Sequence, residues 1–448
     1  MVFSSMNFIF RFLPLFLAVY FLVPNRFRNW VLLGGSLCFY AYGTLGHPLY
    51  TALLLLSGAA AYLTGLGIDR SAGARGRRLC LLAGLGYSLS LLAFFKYLQP
   101  VMPLGISFYT FQVCSYMIDV YRGTICAEQS PFRMMMYVCM FPQLLSGPLI
   151  RYQAVSGELK GRHHSLAGFE EGLRIFTAGL GMKVLIANQA GHLWNQTRTI
   201  GFESISTPMA WLGLAAYALQ IYYDFYGYSL MASGIGRMLG FHFPDNFRQP
   251  YLSVSMTEFW RRWHITLGAW FRDYVYIPLG GSREGKGKTI RNLFVVWLLT
   301  GIWHGGSWNF LLWGGLLFVL IVIEKQGFIR ILERYRILGH LYMAFWILIS
   351  WLIFAVKELP MLWIYLTRLF PFLGSSSAAV FAGDYLKYGK AYGISLLLGL
   401  ICIGTLPEKL GRRGKHSVLT AAVLVVIFWA SVYCLWKGMD NPFLYFSF

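Results

Sequence analysis

The chain has 448 residues, of which 57% are hydrophobic and only 12% are charged. This composition excludes a water-soluble globular protein and predicts an integral membrane protein. The formal net charge of +20 raises the question of a nucleic acid partner. The basic residues instead crowd into short loops, as the positive-inside rule expects of cytoplasmic loops, and no base-stacking motif accompanies them, so we expect no nucleic acid partner. The basic loops are residues 26–28, 70–78, 160–162, 283–291, 330–336 and 409–415.

A spanning helix needs about 20 predominantly apolar residues, and the apolar stretches of this chain indicate roughly 11 to 13 spans. The first stretch contains Arg11 and is followed by no small-residue cleavage site, so it is interpreted as a retained helix and not as a signal peptide. Because little sequence remains for a soluble domain, residues 1–448 are predicted to form a single all-α membrane domain, in contact with lipid. In chain order the stretches are residues 8–23, 30–43, 49–66, 79–97, 104–120, 134–150, 173–190, 209–230, 291–303, 308–324, 341–356, 391–405 and 417–436.

The basic loops also predict the orientation of the chain. If residues 70–78 are cytoplasmic, the three spans before them return the N-terminus to the outer face, and the last span, entered from residues 409–415, carries the C-terminus outside.

The seven cysteines stand singly and form no Cys-x-x-Cys pair. We therefore expect neither a disulfide framework nor a metal site.

Residues 242–282 contain no window that is apolar enough to span a membrane. The same stretch carries Trp260, Trp263, Trp270 and Phe271, which are too apolar for a solvated loop. We therefore expect short interfacial or re-entrant helices, which a membrane protein tolerates where they line a protected cavity.

Within this stretch, Glu258 to His264 fits one helix. Glu258 then lies one turn before Arg261 and Arg262, and Trp260 and Arg261 share a face with His264. This pattern indicates either a paired, oriented histidine or an anchor of aromatic and arginine side chains at the membrane interface, and the spacing leaves both interpretations open.

His304 is the only ionisable side chain between Phe294 and Ile323. An ionisable group in such a segment is costly to bury and is a functional-site hypothesis by default. Kept out of water, an imidazole stays neutral at cytoplasmic pH and is suited to removing a proton from an attacking hydroxyl group. The alternative is a buried structural histidine that donates to a backbone carbonyl.

Asp224 is a second charged group in an apolar, aromatic setting, among the tyrosines of residues 222–228. One interpretation is a carboxylate that orients a catalytic base. The other is a structural ion pair with Arg237, Arg261 or Arg262. Lys183, in the apolar stretch 173–190, is expected near a membrane interface, where a long basic side chain reaches water.

Four motifs are specific enough to identify a family. They read PLGISFYTFQ at residues 103–112, FPQLLSGP at 141–148, EFWRRWH at 258–264 and TGIWHG at 300–305. With them the chain resembles the membrane-bound O-acyltransferase (MBOAT) family over its whole length. Within that family it is similar to the bacterial membrane proteins of alginate and peptidoglycan O-acetylation.

The resemblance implies the function and the site residues. Family members take an acyl group from a cytoplasmic thioester and deliver it through a tunnel in the protein to an acceptor outside. The histidine of the family's Trp-His-Gly motif is catalytic and corresponds to His304, and a second histidine corresponds to His264. We expect acetyl-CoA as the donor substrate, with no bound cofactor, and a cell-envelope polysaccharide as the acceptor. The supporting residues are expected to be Trp303, Arg261, Glu258 and Asp224.

The last eight residues, 441–448, read NPFLYFSF and look like a tail motif of bacterial relatives whose tyrosine is thought to carry the acyl group. That tyrosine is Tyr445. A phenol ionises near pKa ~10 and is easier to activate than a sugar hydroxyl. The alternative is an aromatic anchor at the outer interface.

The expected function is therefore O-acetylation at the bacterial cytoplasmic membrane. A separate extracytoplasmic serine-type O-acetyltransferase is expected to complete the transfer, because this chain shows no outer catalytic domain. Two alternatives stay open at this stage. One is transfer of D-alanine from a carrier protein to teichoic acid, and the other is a transporter or export channel with no covalent step.

Overall fold

The computed structural model describes residues 2–99, 101–145, 147–374, 378–404 and 418–438. Every regular element within these ranges is a helix, which confirms the predicted all-α class. Five of the described helices are long and apolar enough to cross a membrane, so the chain is a multi-pass membrane protein. They are Pro48–Arg70, Ala74–Tyr97, Arg336–Ala355, Asp384–Ile403 and Val418–Trp436.

The chain divides into two compact units. The N-terminal unit consists of residues Met1–Gly179 and Tyr228–Asp245, and the C-terminal unit consists of Leu180–Gly227 and Asn246–Phe448. The helix Thr207–Met238 contributes residues to both units. A single membrane domain over residues 1–448 stays a prediction.

The N-terminal unit has an aromatic core. The ring of Phe141 packs edge-on against those of Phe12 and Phe16, with centroid distances of 5.5 and 5.2 Å. The Phe141 N–H donates to Oγ of buried Ser36 at 3.1 Å. The helices of this part of the chain are α1 (Leu13–Leu22), α2 (Asn25–Gly43), α3 (Pro48–Arg70), α4 (Ala74–Tyr97), α5 (Ile106–Arg122), α6 (Pro131–Cys139), α7 (Phe141–Leu144), α8 (Tyr152–Lys160) and α9 (Leu166–Gly181).

The predicted span at residues 134–150 is wrong. Helix α6 ends at Cys139, and Met140 is non-helical, with φ −56° and ψ 111°. Pro142 lies in the first turn of the short α7, where its missing N–H costs nothing. Two short helices followed by irregular backbone therefore replace one spanning helix.

The C-terminal unit is also built around aromatic side chains, among them Trp313, which is fully buried. Short π-helical segments at Met182–Ala187, Arg272–Tyr276 and Glu324–Phe328 join its helices. The helices are α10 (Asn188–Ile200), α11 (Thr207–Met238), α12 (Met256–Arg262), α13 (Ile265–Phe271), α14 (Lys286–His304), α15 (Trp308–Ile323), α16 (Ile329–Arg334), α17 (Arg336–Ala355), α18 (Leu359–Leu369), α19 (Asp384–Ile403) and α20 (Val418–Trp436).

Helices α14 and α15 approach each other to backbone contact. A Cβ atom added at Gly301 would lie 2.7 Å from the carbonyl oxygen of Phe310, and one added at Gly314 would lie 2.7 Å from that of Trp297. No real Cβ contact is so short, so only glycine permits this spacing. The two glycines thus fix the distance between the helix that carries His304 and its neighbour.

The stretch 242–282 forms short helices, as predicted. Helix α12 has seven residues, and α13 with the π-helical segment that continues it has twelve, so neither is long enough to span a membrane. The prediction of one helix from Glu258 to His264 is wrong, because α12 ends at Arg262 and Trp263 is extended. His264 has left-handed backbone angles, φ 43° and ψ 53°, and begins α13.

Candidate active site

One cavity of the C-terminal unit is lined by both candidate histidines. Its volume is about 480 Å³, and His264 and His304 both contribute to its wall. Asp224 and Arg261 line it as well, so four of the predicted site residues meet in one place. Most of the remaining wall is aromatic or aliphatic, which is typical of a ligand pocket with a few polar groups.

His304 is the last residue of α14 and is half-buried. Its ring meets those of Trp313 and Phe354 edge-on, each at a centroid distance of 5.0 Å. The ring of Trp303 lies 4.6 Å away. Aromatic side chains from three parts of the chain therefore hold the imidazole at the cavity wall, a placement suited to a base that must meet a substrate.

His264 is held differently, in a turn between two short helices. Its side chain is buried, and its ring packs edge-on against Phe225 at 4.7 Å. Nδ1 lies 3.0 Å from Oδ1 of Asn246, and the N–H of Ile265 donates to the Asn246 carbonyl at 2.9 Å. Non-glycine residues rarely adopt left-handed angles, so these contacts to Asn246 stabilise a backbone conformation that His264 alone would avoid.

Burial lowers the pKa of His264 to about 3. His264 lies in the stretch 242–282, outside the predicted spans, and desolvation is the cause of the shift because it disfavours the charged ring. The side chain is therefore a neutral imidazole at physiological pH, with one protonated and one unprotonated nitrogen.

Glu258 caps the helix that leads to His264. Oγ of Ser255, the N-cap residue, accepts from the Glu258 N–H at 3.1 Å, and the Glu258 carboxylate accepts from the Val254 N–H at 2.8 Å, one residue before the N–H that a capping box uses. Its other oxygen pairs with Arg262 at 2.5 Å. Glu258 therefore stabilises α12, and within the described chain neither it nor Trp303 belongs to the residues that line the cavity.

Glu324, which belongs to none of the sequence motifs, is fully buried. Its carboxylate accepts from the Met256 N–H at 2.6 Å, from the Thr257 N–H at 2.8 Å and from the Thr257 hydroxyl at 2.6 Å. A negative charge at the start of a helix is favourable, so Glu324 anchors the first turn of α12. The position of Glu324 directly after the apolar run 308–323 is the signal by which the sequence could have identified it.

The predicted partners of Asp224 are wrong. Asp224 pairs with Lys183 at 2.5 Å, and both side chains are almost completely buried, with 3% and 2% exposed. Lys183 Nζ also donates to Oδ1 of Asn188 at 2.8 Å. Lys183 thus does not reach water as predicted, because its ammonium group is buried and pairs with the buried carboxylate of Asp224. Asp224 lines the cavity, and Lys183 compensates its charge.

Three basic side chains line the cavity and are exposed: Arg261, Arg272 and Lys325. Arg272 contacts Asp273 at 2.6 Å, so its charge is partly compensated. We call these three residues the basic rim. Exposed cations on the wall of an otherwise apolar cavity are suited to a ligand with an anionic end and an apolar or neutral reacting end.

Tyr445 and the tail 441–448 lie outside the described residues. Their predicted role therefore stays a prediction.

Comparison with known proteins agrees with the motifs. The model of the MBOAT, membrane-bound O-acyltransferase, family matches residues 125–356, just over half of the chain. A protein of Pseudomonas putida named probable alginate O-acetylase AlgI is 34% identical, with 100% of both chains covered. A peptidoglycan O-acetyltransferase of Helicobacter pylori is 31% identical over 80% of this chain and 78% of its own length. A teichoic acid D-alanyltransferase of Bacillus subtilis is 30% identical over 47% of this chain and 56% of its own length.

Proposed function

Because the chain belongs to the membrane-bound O-acyltransferase family and is a membrane O-acyltransferase, we propose that it moves an acetyl group from acetyl-CoA toward hydroxyl groups of an extracytoplasmic polysaccharide. Two similar proteins are named for O-acetylation of alginate and of peptidoglycan, which supports an acetyl donor and a cell-envelope acceptor. The observation that carries the proposal is the pair His264 and His304 on one cavity.

His304 is the proposed general base. Its imidazole removes the proton of the attacking hydroxyl group, and the oxygen then forms a bond to the carbonyl carbon of the thioester. The carbon–sulfur bond breaks, and the departing thiolate takes up the proton from the imidazolium. His264, a neutral imidazole in the same cavity, assists through a hydrogen bond.

The basic rim supports acetyl-CoA as the donor. Coenzyme A carries several phosphate charges at the end opposite its thioester, and arginine and lysine bind phosphates well. With the phosphates at Arg261, Arg272 and Lys325, the uncharged thioester end lies in the apolar part of the cavity. No tightly bound cofactor is needed for this reaction.

We further propose that Tyr445 is the first acceptor. Its phenol takes the acetyl group from the thioester and passes it to a separate extracytoplasmic serine-type O-acetyltransferase, which acylates the polysaccharide.

In this proposal the protein lies in the cytoplasmic membrane with both termini outside. Reporter fusions at each terminus test the orientation: an alkaline phosphatase fusion is active only if that terminus is outside.

Intact-mass analysis tests the reaction. Purified full-length protein is incubated with acetyl-CoA, and the C-terminal peptide is then examined for an acetyl adduct. We expect an adduct with the wild type, none with Tyr445→Phe and none with His304→Ala. Wild-type protein without an adduct, or an equal adduct in His304→Ala, contradicts the mechanism.

The second candidate is D-alanyl transfer. The teichoic acid D-alanyltransferase of Bacillus subtilis matches less of this chain than the O-acetylation proteins do, which is why we favour acetyl transfer. Incubation with a D-alanyl carrier protein in place of acetyl-CoA distinguishes the two. A D-alanyl adduct without an acetyl adduct identifies the second function, and transport without any adduct identifies an export channel.

A further inference from the structure

Asn246 organises the turn that carries His264. Its side chain is buried, and its Oδ1 atom lies 3.0 Å from Nδ1 of His264 and 2.8 Å from the hydroxyl of Thr266. The backbone N–H of Thr266 points at the same oxygen from 3.5 Å. The Asn246 carbonyl accepts from the N–H of Ile265 at 2.9 Å. One residue thus contacts three consecutive residues of the turn.

These contacts determine which nitrogen of His264 carries the proton. A backbone N–H can only donate, so the amide atom that faces Thr266 is the oxygen of Asn246 and not its NH₂ group. An amide oxygen can only accept, so Nδ1 of His264 must donate to it. In a neutral ring the other nitrogen, Nε2, then carries a lone pair.

We propose that Asn246 is a positioning residue that keeps His264 in the Nδ1–H tautomer, so that His264 acts in the cavity through Nε2 as a hydrogen-bond and proton acceptor. The inference rests on the proposed function and deepens it. It assigns His264 the task of accepting a hydrogen bond from the hydroxyl or thiol group of a substrate. It also excludes His264 as a donor to the developing oxyanion, because an unprotonated nitrogen has no hydrogen to donate.

The depressed pKa of His264 supports the inference, since only a neutral ring has one protonated and one unprotonated nitrogen. Other ionisable groups line the same cavity and contribute to its field. They are Asp224, Arg261, Arg272, Tyr276, His304 and Lys325.

Nitrogen-15 NMR of histidine-labelled, full-length protein in nanodiscs tests the tautomer directly. A His264→Gln sample assigns the His264 signals by difference. We expect a protonated Nδ1 and an unprotonated Nε2 in the wild type at pH 7. A protonated Nε2 overturns the inference. This measurement needs no substrate, so its outcome is independent of whether the protein transfers acetyl groups.

The pH profile of Asn246→Asp provides the second test. Aspartate keeps the shape of asparagine and still accepts from Nδ1, but its negative charge stabilises a protonated His264 ring and raises the pKa of that ring. We expect kcat near the wild-type value at high pH and a new acidic limb, in which kcat falls about tenfold per pH unit below the raised pKa. A profile with the wild-type shape contradicts the positioning role.

Asn292→Asp is the matched control. Asn292 is fully buried in the same unit, lies twelve residues before His304 on α14, does not line the cavity and donates to the carbonyls of Leu279 and Gly281 at 3.0 and 2.9 Å. Its replacement puts a buried charge opposite two carbonyls, so it destabilises the fold without adding an acidic limb. An identical limb in both variants means that the effect comes from general destabilisation and overturns the inference.

Discussion

The two histidines of the cavity are held by different physical means. The turn around His264 uses hydrogen bonds to Asn246 and a left-handed backbone, whereas the end of α14 surrounds His304 with aromatic rings. Hydrogen bonds fix which nitrogen carries a proton. Aromatic contacts orient a ring through its shape and its edge. In the proposed mechanism, His264 accepts a hydrogen bond, and His304 is the group that gains and loses a proton during the reaction.

Replacing His304 is expected to have the largest effect. His304→Ala removes the proton carrier, and general-base catalysis contributes about 10²- to 10⁴-fold, so we expect kcat for acetyl transfer to fall by about 10³-fold. Release of coenzyme A measures the rate, and thermal unfolding checks that the variant is folded. A loss of less than about tenfold in a folded variant assigns the proton transfer to another residue.

Breaking the charged pair tests the wall that both histidines share. Lys183→Met leaves Asp224 as an uncompensated buried charge and is expected to cost about 3 to 5 kcal/mol in the free energy of unfolding. Thermal unfolding in detergent measures the loss. The double variant Lys183→Met with Asp224→Leu is the control, and we expect it to recover most of the stability. If the double variant is no more stable than the single one, the pair is not what stabilises the wall.

Replacing His264 can separate the role of its backbone conformation from the role of its ring. Asparagine adopts left-handed angles more readily than most residues, so His264→Asn keeps the turn and loses only the ring. We expect kcat to fall about 10²-fold at nearly unchanged stability. His264→Ala is expected to lose stability as well. Equal rates for wild type and His264→Asn contradict a role of the ring in the reaction.

The basic rim is expected to affect donor binding more than the chemical step. Arg261→Gln removes one exposed charge and is expected to raise KM for acetyl-CoA about two- to fivefold, with kcat little changed. The effect should weaken at high salt, since exposed charges are screened. Lys286→Gln removes an exposed charge away from the cavity and serves as the control. An equal rise of KM in both variants reflects net charge and not the rim.

A further effect concerns stability in acid. The pKa of His264 is lowered to about 3 in the folded protein, so the unfolded chain binds this proton first, near its ordinary pKa of about 6.5. The free energy of unfolding therefore falls as the pH drops from about 6.5 toward 3. Melting temperatures at pH 7 and pH 5 measure this, and His264→Asn should show a smaller decrease. An equal decrease in both proteins assigns the acid sensitivity to other groups.

The sequence predicted the helical class and the membrane character, and it singled out the two histidines that line the cavity, because composition and motifs are local properties. It did not predict that His264 breaks a helix. No glycine or proline marks the break, and the turn depends on Asn246, which lies 18 positions earlier in the chain. The pairing of Asp224 with Lys183 escaped prediction for the same reason, since it joins segments that are distant in sequence.

The contact between α14 and α15 has a consequence for the size of the transferred group. Because Gly301 and Gly314 bring these helices to backbone contact, the helices cannot move closer together, and moving them apart would open a gap between their backbones. Trp297 and Trp313, which line the cavity, are the large side chains that these two helices contribute to its wall. In the proposed function, replacing either tryptophan by a smaller residue is therefore the direct route to a preference for longer acyl chains.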